Sequence, residues 1–297
     1  MPDEAWEASD LVVSASPIPS GLVLVATPIG NLGDLSPRAV DALRAADLVL
    51  CEDTRLTARL LTHAGIHART EPLHEHNEAA RLPGLLERLR AGQRIALVSD
   101  AGTPLVSDPG YRLVRAAIEA GLPVGAIPGP NAALLALTLS GLPPHPFLFL
   151  GFLPPRQAAR RAAIAALRAQ ERAGLSATLV WHEAPHRLAE SLADLAELLG
   201  PRPAAVAREL TKRFEEIRRA TLPELAGHYA AEAPRGEITL LAGPAPPEAA
   251  DPEALDARLT ETLATHSVKD AAALVAAATG LPRKLVYARA LELSPKR

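Results

Sequence analysis

The sequence predicts an α/β protein made of two successive α/β domains and a small helical domain at the end. Short apolar runs alternate with amphipathic stretches from Gly21 onward, and three of those runs end in clusters of Gly, Pro, Asn and Asp. Pro-rich breaks then divide the chain. Such alternation builds a mainly parallel sheet covered by helices on both faces.

Residues 1–20 are acidic, rich in Ser and Pro and without a lasting period, and read as a mobile extension. In the first domain, 21–140, strands are predicted at 22–27, 47–51, 69–73, 94–98 and 123–127. Helices are predicted at 36–46, 54–64, 77–91, 110–120 and 131–139. The run Ser140-Gly-Leu-Pro-Pro-His-Pro146 interrupts any regular element and marks the boundary. The second domain, 146–243, carries strands at 147–150, 177–181, 204–208 and 237–241 and helices at 155–173 and 184–199. A linker at 244–252 leads to the helical domain, 253–297, where a helix, a turn at Gly280 and a second helix suggest a helix-turn-helix-like end.

Composition narrows the classes of function. With 297 residues and 48% hydrophobic content the chain can bury real cores, but only 3% of it is aromatic. Stacking on nucleobases is therefore not the expected main means of recognition. A net charge of −3 excludes the strongly basic balance of a protein that coats nucleic acid, while leaving room for local basic patches. No apolar run is long enough to span a membrane, and the acidic opening does not resemble a secretory signal, which predicts a cytoplasmic protein without membrane contact. The single cysteine, Cys51, ends an apolar run and reads as core.

The ligand chemistry is written in the loops. Leu22-Val-Leu-Val-Ala26 runs into Thr27-Pro-Ile-Gly-Asn-Leu-Gly33, Arg94-Ile-Ala-Leu-Val98 into Ser99-Asp-Ala-Gly-Thr-Pro-Leu-Val-Ser-Asp-Pro-Gly110, and Pro123-Val-Gly-Ala-Ile127 into Pro128-Gly-Pro-Asn131. Three such strand ends argue for one composite site. Neither a Walker loop nor a dinucleotide fingerprint is present, since Gly102-Thr-Pro lacks the lysine and Gly30-Asn-Leu-Gly33 lacks a glycine. The loops instead carry Asp100 and Asp108, with Glu52 and Asp53 nearby, which suits a ligand with a cationic or neutral reactive end, such as S-adenosylmethionine with its positive sulfonium. His74-Glu-His76 resembles a metal pair, but no third ligand cluster with zinc spacing accompanies it, so no metal is expected.

Nine segments carry a family resemblance. They are Thr27-Pro-Ile-Gly-Asn31, Glu52-Asp-Thr-Arg55, Leu73-His-Glu-His-Asn77, Ser99-Asp-Ala-Gly-Thr-Pro104, Ser107-Asp-Pro-Gly110, Pro128-Gly-Pro130, Gly151-Phe-Leu-Pro154, Glu183-Ala-Pro-His-Arg187 and Arg208-Glu-Leu-Thr-Lys212. In this order, over about residues 21–295, they resemble the branch of the tetrapyrrole methylase superfamily that methylates small-subunit ribosomal RNA. The resemblance implies two α/β domains with S-adenosylmethionine in the cleft between them, a homodimer, and methylation of a cytidine ribose 2′-oxygen in the decoding region of 16S ribosomal RNA. His182 stands where relatives often place Tyr, and Asn131 where they often place Ser or Cys.

On that reading the cofactor is held by Thr27, Pro28, Gly30, Asp100, Gly102, Thr103, Pro104, Leu105, Val106, Pro128, Gly129, Pro130, Glu183 and Ala184, while Asp108 to Gly110 only start the next helix. Glu183 is the first candidate for the acceptor side, with an ion pair to Arg187 as the plain alternative. Glu209 and Lys212 join it as candidate catalytic residues, Lys212 meeting an RNA phosphate and Glu209 orienting it; a solvated charge cluster is the alternative. Arg156, Arg160, Arg161, Arg168 and Arg172 form either an RNA-tracking stripe or a solvated helix face. Two other functions remain open at this stage: a superfamily methyltransferase acting on a porphyrinoid or a protein, and a noncatalytic nucleic-acid-binding regulator.

Overall fold

The computed structural model describes residues 20–246, 252–279 and 281–294. All but the last residue of the expected N-terminal extension, most of the expected linker and the turn at Gly280 lie outside the described residues.

The first domain runs β1 (Leu22–Val25), α1 (Pro37–Ala45), β2 (Leu48–Cys51), α2 (Thr54–His63), β3 (Thr70–Pro72), α3 (Glu75–Arg90), β4 (Ile95–Val98), α4 (Tyr111–Glu119), β5 (Val124–Ile127) and α5 (Ala132–Ser140). Its sheet has the order β3-β2-β4-β1-β5 and is parallel throughout. The apolar runs of β2 and β4 are buried along their whole length, as strands covered on both faces must be. Ser36, Asp53 and Asn131 cap α1, α2 and α5 through their side chains, so polar residues placed before apolar stretches set the helix starts. Asn77 is the third residue of α3 and accepts from the His74 backbone N–H at 2.9 Å, which places the helix start two residues before the predicted one.

The second domain comprises β6 (Phe147–Phe152), α6 (Gln157–Arg172), β7 (Thr178–Glu183), α7 (Leu188–Leu199), β8 (Pro203–Arg208), β9 (Glu216–Thr221), α8 (Leu222–Ala231) and β10 (Ile238–Ala242). Its order is β6-β7-β10-β8-β9, with β6 parallel to β7 and every other pair antiparallel. Strand β9 and helix α8 were not among the predicted elements. The tail folds as α9 (Pro252–Leu263), α10 (Val268–Thr279) and α11 (Arg283–Leu293) around Leu259, Ala272, Val286 and Ala290.

Helix α5 joins the two domains. It belongs to the first domain by sequence, yet Ala133, Ala136 and Leu137 pack on Val180, Ala205, Ala207 and Leu241 of the second sheet, with Ile29 in the same cluster. Its segment, AALLALTLS, is apolar nearly all round, and Leu134 on the face away from that sheet stays exposed. The opposite face of that sheet packs Trp181, Leu179 and Leu240 against α6, α7 and α8.

Three of the five arginines, Arg160, Arg161 and Arg168, are neither an open stripe nor a simple solvated face, while Arg156 and Arg172 are exposed. Arg160, 1% exposed, donates to Asp194 at 2.6 Å, and Arg161 pairs with Asp194 and Glu197. Glu171 at the end of α6 takes Arg202, both side chains being buried, and lies 3.5 Å from Arg168. These charges fasten α6 to α7 and to the start of β8.

Candidate active site

The parallel strands of the first sheet deliver their loops to one edge, where the loops are stitched together. Thr27 and Gly102 exchange backbone hydrogen bonds of 2.9 and 3.1 Å, and Thr27 Oγ1 donates to the Ser99 carbonyl at 3.0 Å. Thr103 Oγ1 donates to the Pro130 carbonyl at 3.0 Å and accepts from Asn131 Nδ2 at 3.2 Å. The three predicted loops therefore form one wall.

Backbone strain marks the same place. Among the described residues, the non-glycine positions with positive φ are Leu105 and Ser107 in the loop after β4, and Glu209 and Thr211 in the loop after β8. Such conformations persist only where the surroundings enforce them, and they gather at functional sites. Both loops border a cavity of about 400 Å³, a volume in the range that holds small cofactors. Ile29, Asp100, Val106 and Asp108 line it from the first domain; Phe152, His182, Glu183, Ala184, Leu210, Glu237 and Thr239 line it from the second.

The first-domain wall is acidic. Asp100 accepts from the Asp53 backbone N–H at 2.9 Å, and Asp108 accepts from Ser99 Oγ. Burial pushes the Asp108 carboxyl above its ordinary range, and Asp100 adds to the effect. Glu52 is raised by burial and then by Asp100 and Asp108. Carboxylates that repel one another in this way favour a cation among them. Asp53 is engaged elsewhere, since its hydrogen bonds with Arg55 bring it to about 2.

On the opposite wall Glu183 is 2% exposed and fully engaged. One of its oxygens accepts from the Ala184 N–H at 2.8 Å and lies 3.2 Å from Arg187 Nε; the other accepts from Ser191 Oγ at 2.6 Å. The Arg187 pair is thus formed at the cavity wall. His182 beside it sits against Phe149 and Phe152, with ring centroids 5.0 and 5.7 Å away, and its Nδ1 is 3.3 Å from Thr239 Oγ1. Burial lowers its pKa, only partly opposed by Glu237, so the imidazole is held neutral.

At the cavity edge Lys212 Nζ donates to Glu209 at 2.8 Å and to Glu237 at 3.1 Å. Burial alone would lower the lysine pKa, but the two carboxylates outweigh it and hold the charge. Glu209 also accepts from the Glu237 N–H at 3.0 Å, and a Cβ on Gly236 would fall 2.3 Å from its carboxylate. A Cβ on Gly30 would fall 2.3 Å from Lys212 Cγ, so the first-domain loop and the lysine stem are in close contact.

Of the residues assigned to the cofactor, Asp100, Val106, Glu183 and Ala184 line the cavity. Thr27, Gly102, Thr103 and Pro130 make the stitching behind it, Pro104 is buried, and Leu105 supplies strain. Pro28, Gly30, Pro128 and Gly129 belong to the neighbouring loops, Gly30 against Lys212 and Gly129 against Ala26. Glu209 and Lys212 come together beside the cavity rather than in its lining. Asp108 does more than precede a helix: Gly110 is the N-cap of α4, while Asp108 faces the cavity. Phe152 and Thr239 were missed, and His182 was noted only as a departure; their register on β6, β7 and β10 is what brings them together.

A cleft enzyme with two α/β domains and an acidic cofactor wall is the class that this geometry defines. The model of the family "Tetrapyrrole (Corrin/Porphyrin) Methylases" matches residues 21–226, and that of the "RsmI C-terminal HTH domain" matches 248–294. The chain belongs to the tetrapyrrole methylase family, within the group of ribosomal RNA small subunit methyltransferase I. It is 50% identical to the protein of that name from Mesorhizobium japonicum over 95% of each chain. It is also 51% identical to the one from Micromonospora olivasterospora, over 90% of this chain and 85% of that one. Among solved structures, diphthine synthase (TM-score 0.57, 16% identity, 75% of this chain and 90% of that one) and the methyltransferase CobJ (TM-score 0.55, 20% identity, 76% and 95%) share the fold.

Proposed function

We propose that this protein is an S-adenosylmethionine-dependent methyltransferase of small-subunit ribosomal RNA, acting on the 2′-oxygen of a cytidine in the decoding region of 16S RNA. The observation that carries the reading is the cavity between two strained loops, acidic on the first-domain side and holding a neutral imidazole on the other. The names of its relatives support the substrate class. The family resemblance supports the ribose position and a homodimer.

When bound, S-adenosylmethionine supplies a methyl group on a positively charged sulfur. Asp100 and Asp108 would face that charge, and the stitched loops would hold the rest of the cofactor through backbone groups. His182, neutral and anchored by Thr239, is suited to take the hydroxyl proton as the acceptor oxygen is methylated. Glu183, with both oxygens engaged, fixes the end of β7 that carries His182. Lys212, oriented by Glu209 and Glu237, offers a cation to the RNA backbone at the cleft mouth. Alignment of donor and acceptor does the remaining work.

The test is incubation of the purified protein with unmodified small ribosomal subunits and methyl-labelled S-adenosylmethionine, followed by mapping of the label. Label on one cytidine ribose is the expected result. Label in a porphyrinoid or a protein and none in RNA overturns the proposal, and absence of any transfer favours a noncatalytic regulator.

A further inference from the structure

A second cavity, of about 240 Å³, opens between β8, β9 and α8, and the function assigned above does not use it. Three guanidinium groups border it, those of Arg208, Arg218 and Arg235, together with His228, Tyr229 and the carboxylates Glu216 and Glu232. Glu216 is shared, since Arg208 and Arg218 each reach it at 2.9 Å; Arg208 first and then Arg218 hold its carboxyl below the usual range. Glu232 is 79% exposed, with His228 3.9 Å away. The Arg235 side chain forms no ion pair or hydrogen bond among the described residues, so the cavity carries an uncompensated cation.

Tyr229 makes the cavity more than a solvated charge cluster. It is 4% exposed, and no acceptor lies within hydrogen-bonding distance of its hydroxyl; the neighbouring Arg218 guanidinium can only donate. A buried donor without an acceptor points to a missing partner. Burial, and then the Glu216 charge, raise the phenol pKa, so the proton stays on the hydroxyl. The missing partner is therefore an acceptor, and the guanidinium forks around it favour an anion with several oxygens.

Position supplies the source of that anion. Residues 233–235 line this cavity while 236–239 line the reaction cleft, so a single turn separates the two. We propose that the cavity is a second RNA contact, binding one backbone phosphate of the substrate through Arg235, Arg218 and the Tyr229 hydroxyl. The inference rests on the ribosomal RNA reading above.

Arg235→Ala and Tyr229→Phe test it, with binding of fluorescently labelled, unmodified small-subunit RNA read by anisotropy over a range of salt. Arg235→Ala is expected to weaken binding about three- to tenfold and to reduce the slope of log affinity against log salt by about one. Tyr229→Phe is expected to weaken RNA binding severalfold while the melting temperature holds or rises, because it removes a hydroxyl that has no acceptor in the free protein. S-Adenosylmethionine affinity is the control and stays constant in both. Inorganic phosphate at millimolar concentration should weaken RNA binding by the wild type more than by Arg235→Ala; RNA affinity and salt slope equal in all three proteins overturn the subsite. So does absence of RNA binding by the wild type. Intact RNA binding without methyl transfer counts against the function proposed above and leaves the subsite standing.

Discussion

Lys212 Cγ occupies the space that a side chain on Gly30 would need, 2.3 Å from an ideal Cβ. The lysine proposed to meet the RNA backbone is thus packed against a glycine of the loop after β1. Thr211 Oγ1 at 2.9 Å and the Leu210 carbonyl at 3.0 Å crowd the same position, so the neighbours have little room to yield.

Gly30→Ala is therefore expected to cost about 1–3 kcal/mol, the usual range for overpacking, and to reduce RNA methylation by displacing Lys212. Lys212→Ala should weaken RNA methylation while leaving cofactor affinity nearly intact. Urea unfolding of both single variants and the double variant gives the coupling; a Gly30→Ala penalty unchanged in the Lys212→Ala background would show that the contact is not what resists the methyl group.

The acidic wall predicts a pH dependence that separates cofactor from product. Asp108 and Glu52 have raised pKa values, so they lose charge as pH falls through a range above that of ordinary carboxylates. S-Adenosylmethionine affinity should be full above that range and decline as the carboxyls protonate. S-Adenosylhomocysteine, which lacks the positive sulfur, should respond much less. Calorimetric titration of both ligands between pH 4 and 8, a span of about four units around the carboxylate and imidazole values, checks the difference; parallel curves would remove the sulfonium argument.

The pKa of His182 is shifted the other way, downward. As the proposed base, His182 can work only when neutral, and its pKa is already lowered by burial, so kcat at saturating cofactor should persist to a pH below the ordinary imidazole range before it falls. His182→Gln should reduce kcat by about a hundredfold, the lower end for general base catalysis. At saturating cofactor the acid limb of the kcat profile should vanish with it. Phe152→Ala, which removes a half-exposed ring from the imidazole, should shift that limb and leave it present.

The Arg202–Glu171 pair is a stability determinant remote from the chemistry. Arg202 donates to Glu171 at 3.0 Å and to the Leu199 carbonyl at 2.9 Å, with both charged side chains shielded from water. Arg202→Met leaves a buried carboxylate without its main partner and should cost about 3–5 kcal/mol. Replacing both residues with apolar ones should recover most of the loss. Denaturant midpoints for the single and double variants decide it.

The first sheet was legible because its central strands are continuous apolar runs and its ligand loops are Gly and Pro clusters at strand ends. Strand β9 was not, because Glu216-Ile-Arg-Arg-Ala-Thr221 is a charged edge strand with exposed Arg218 and Arg219, a composition that protects an edge and looks like a loop. Helix α8 begins Leu-Pro, which reads as a break although Pro is well placed in a first turn. The loops of the site were readable as composition, whereas the approach of Lys212 to Gly30 and the meeting of Phe152, His182 and Thr239 depend on register between strands distant in sequence.

Helix α5 finally bears on where the two lobes are linked. Because its alanine and leucine flank is locked into the second sheet together with Ile29, the segment at 141–146 does not work as a free hinge. Outside α5 itself, Ile29 is the buried first-domain residue that joins this apolar cluster. The link between the lobes is therefore the short turn 128–131 before α5, and it lies beside the cleft that the strained loops at 105–107 and 209–211 border.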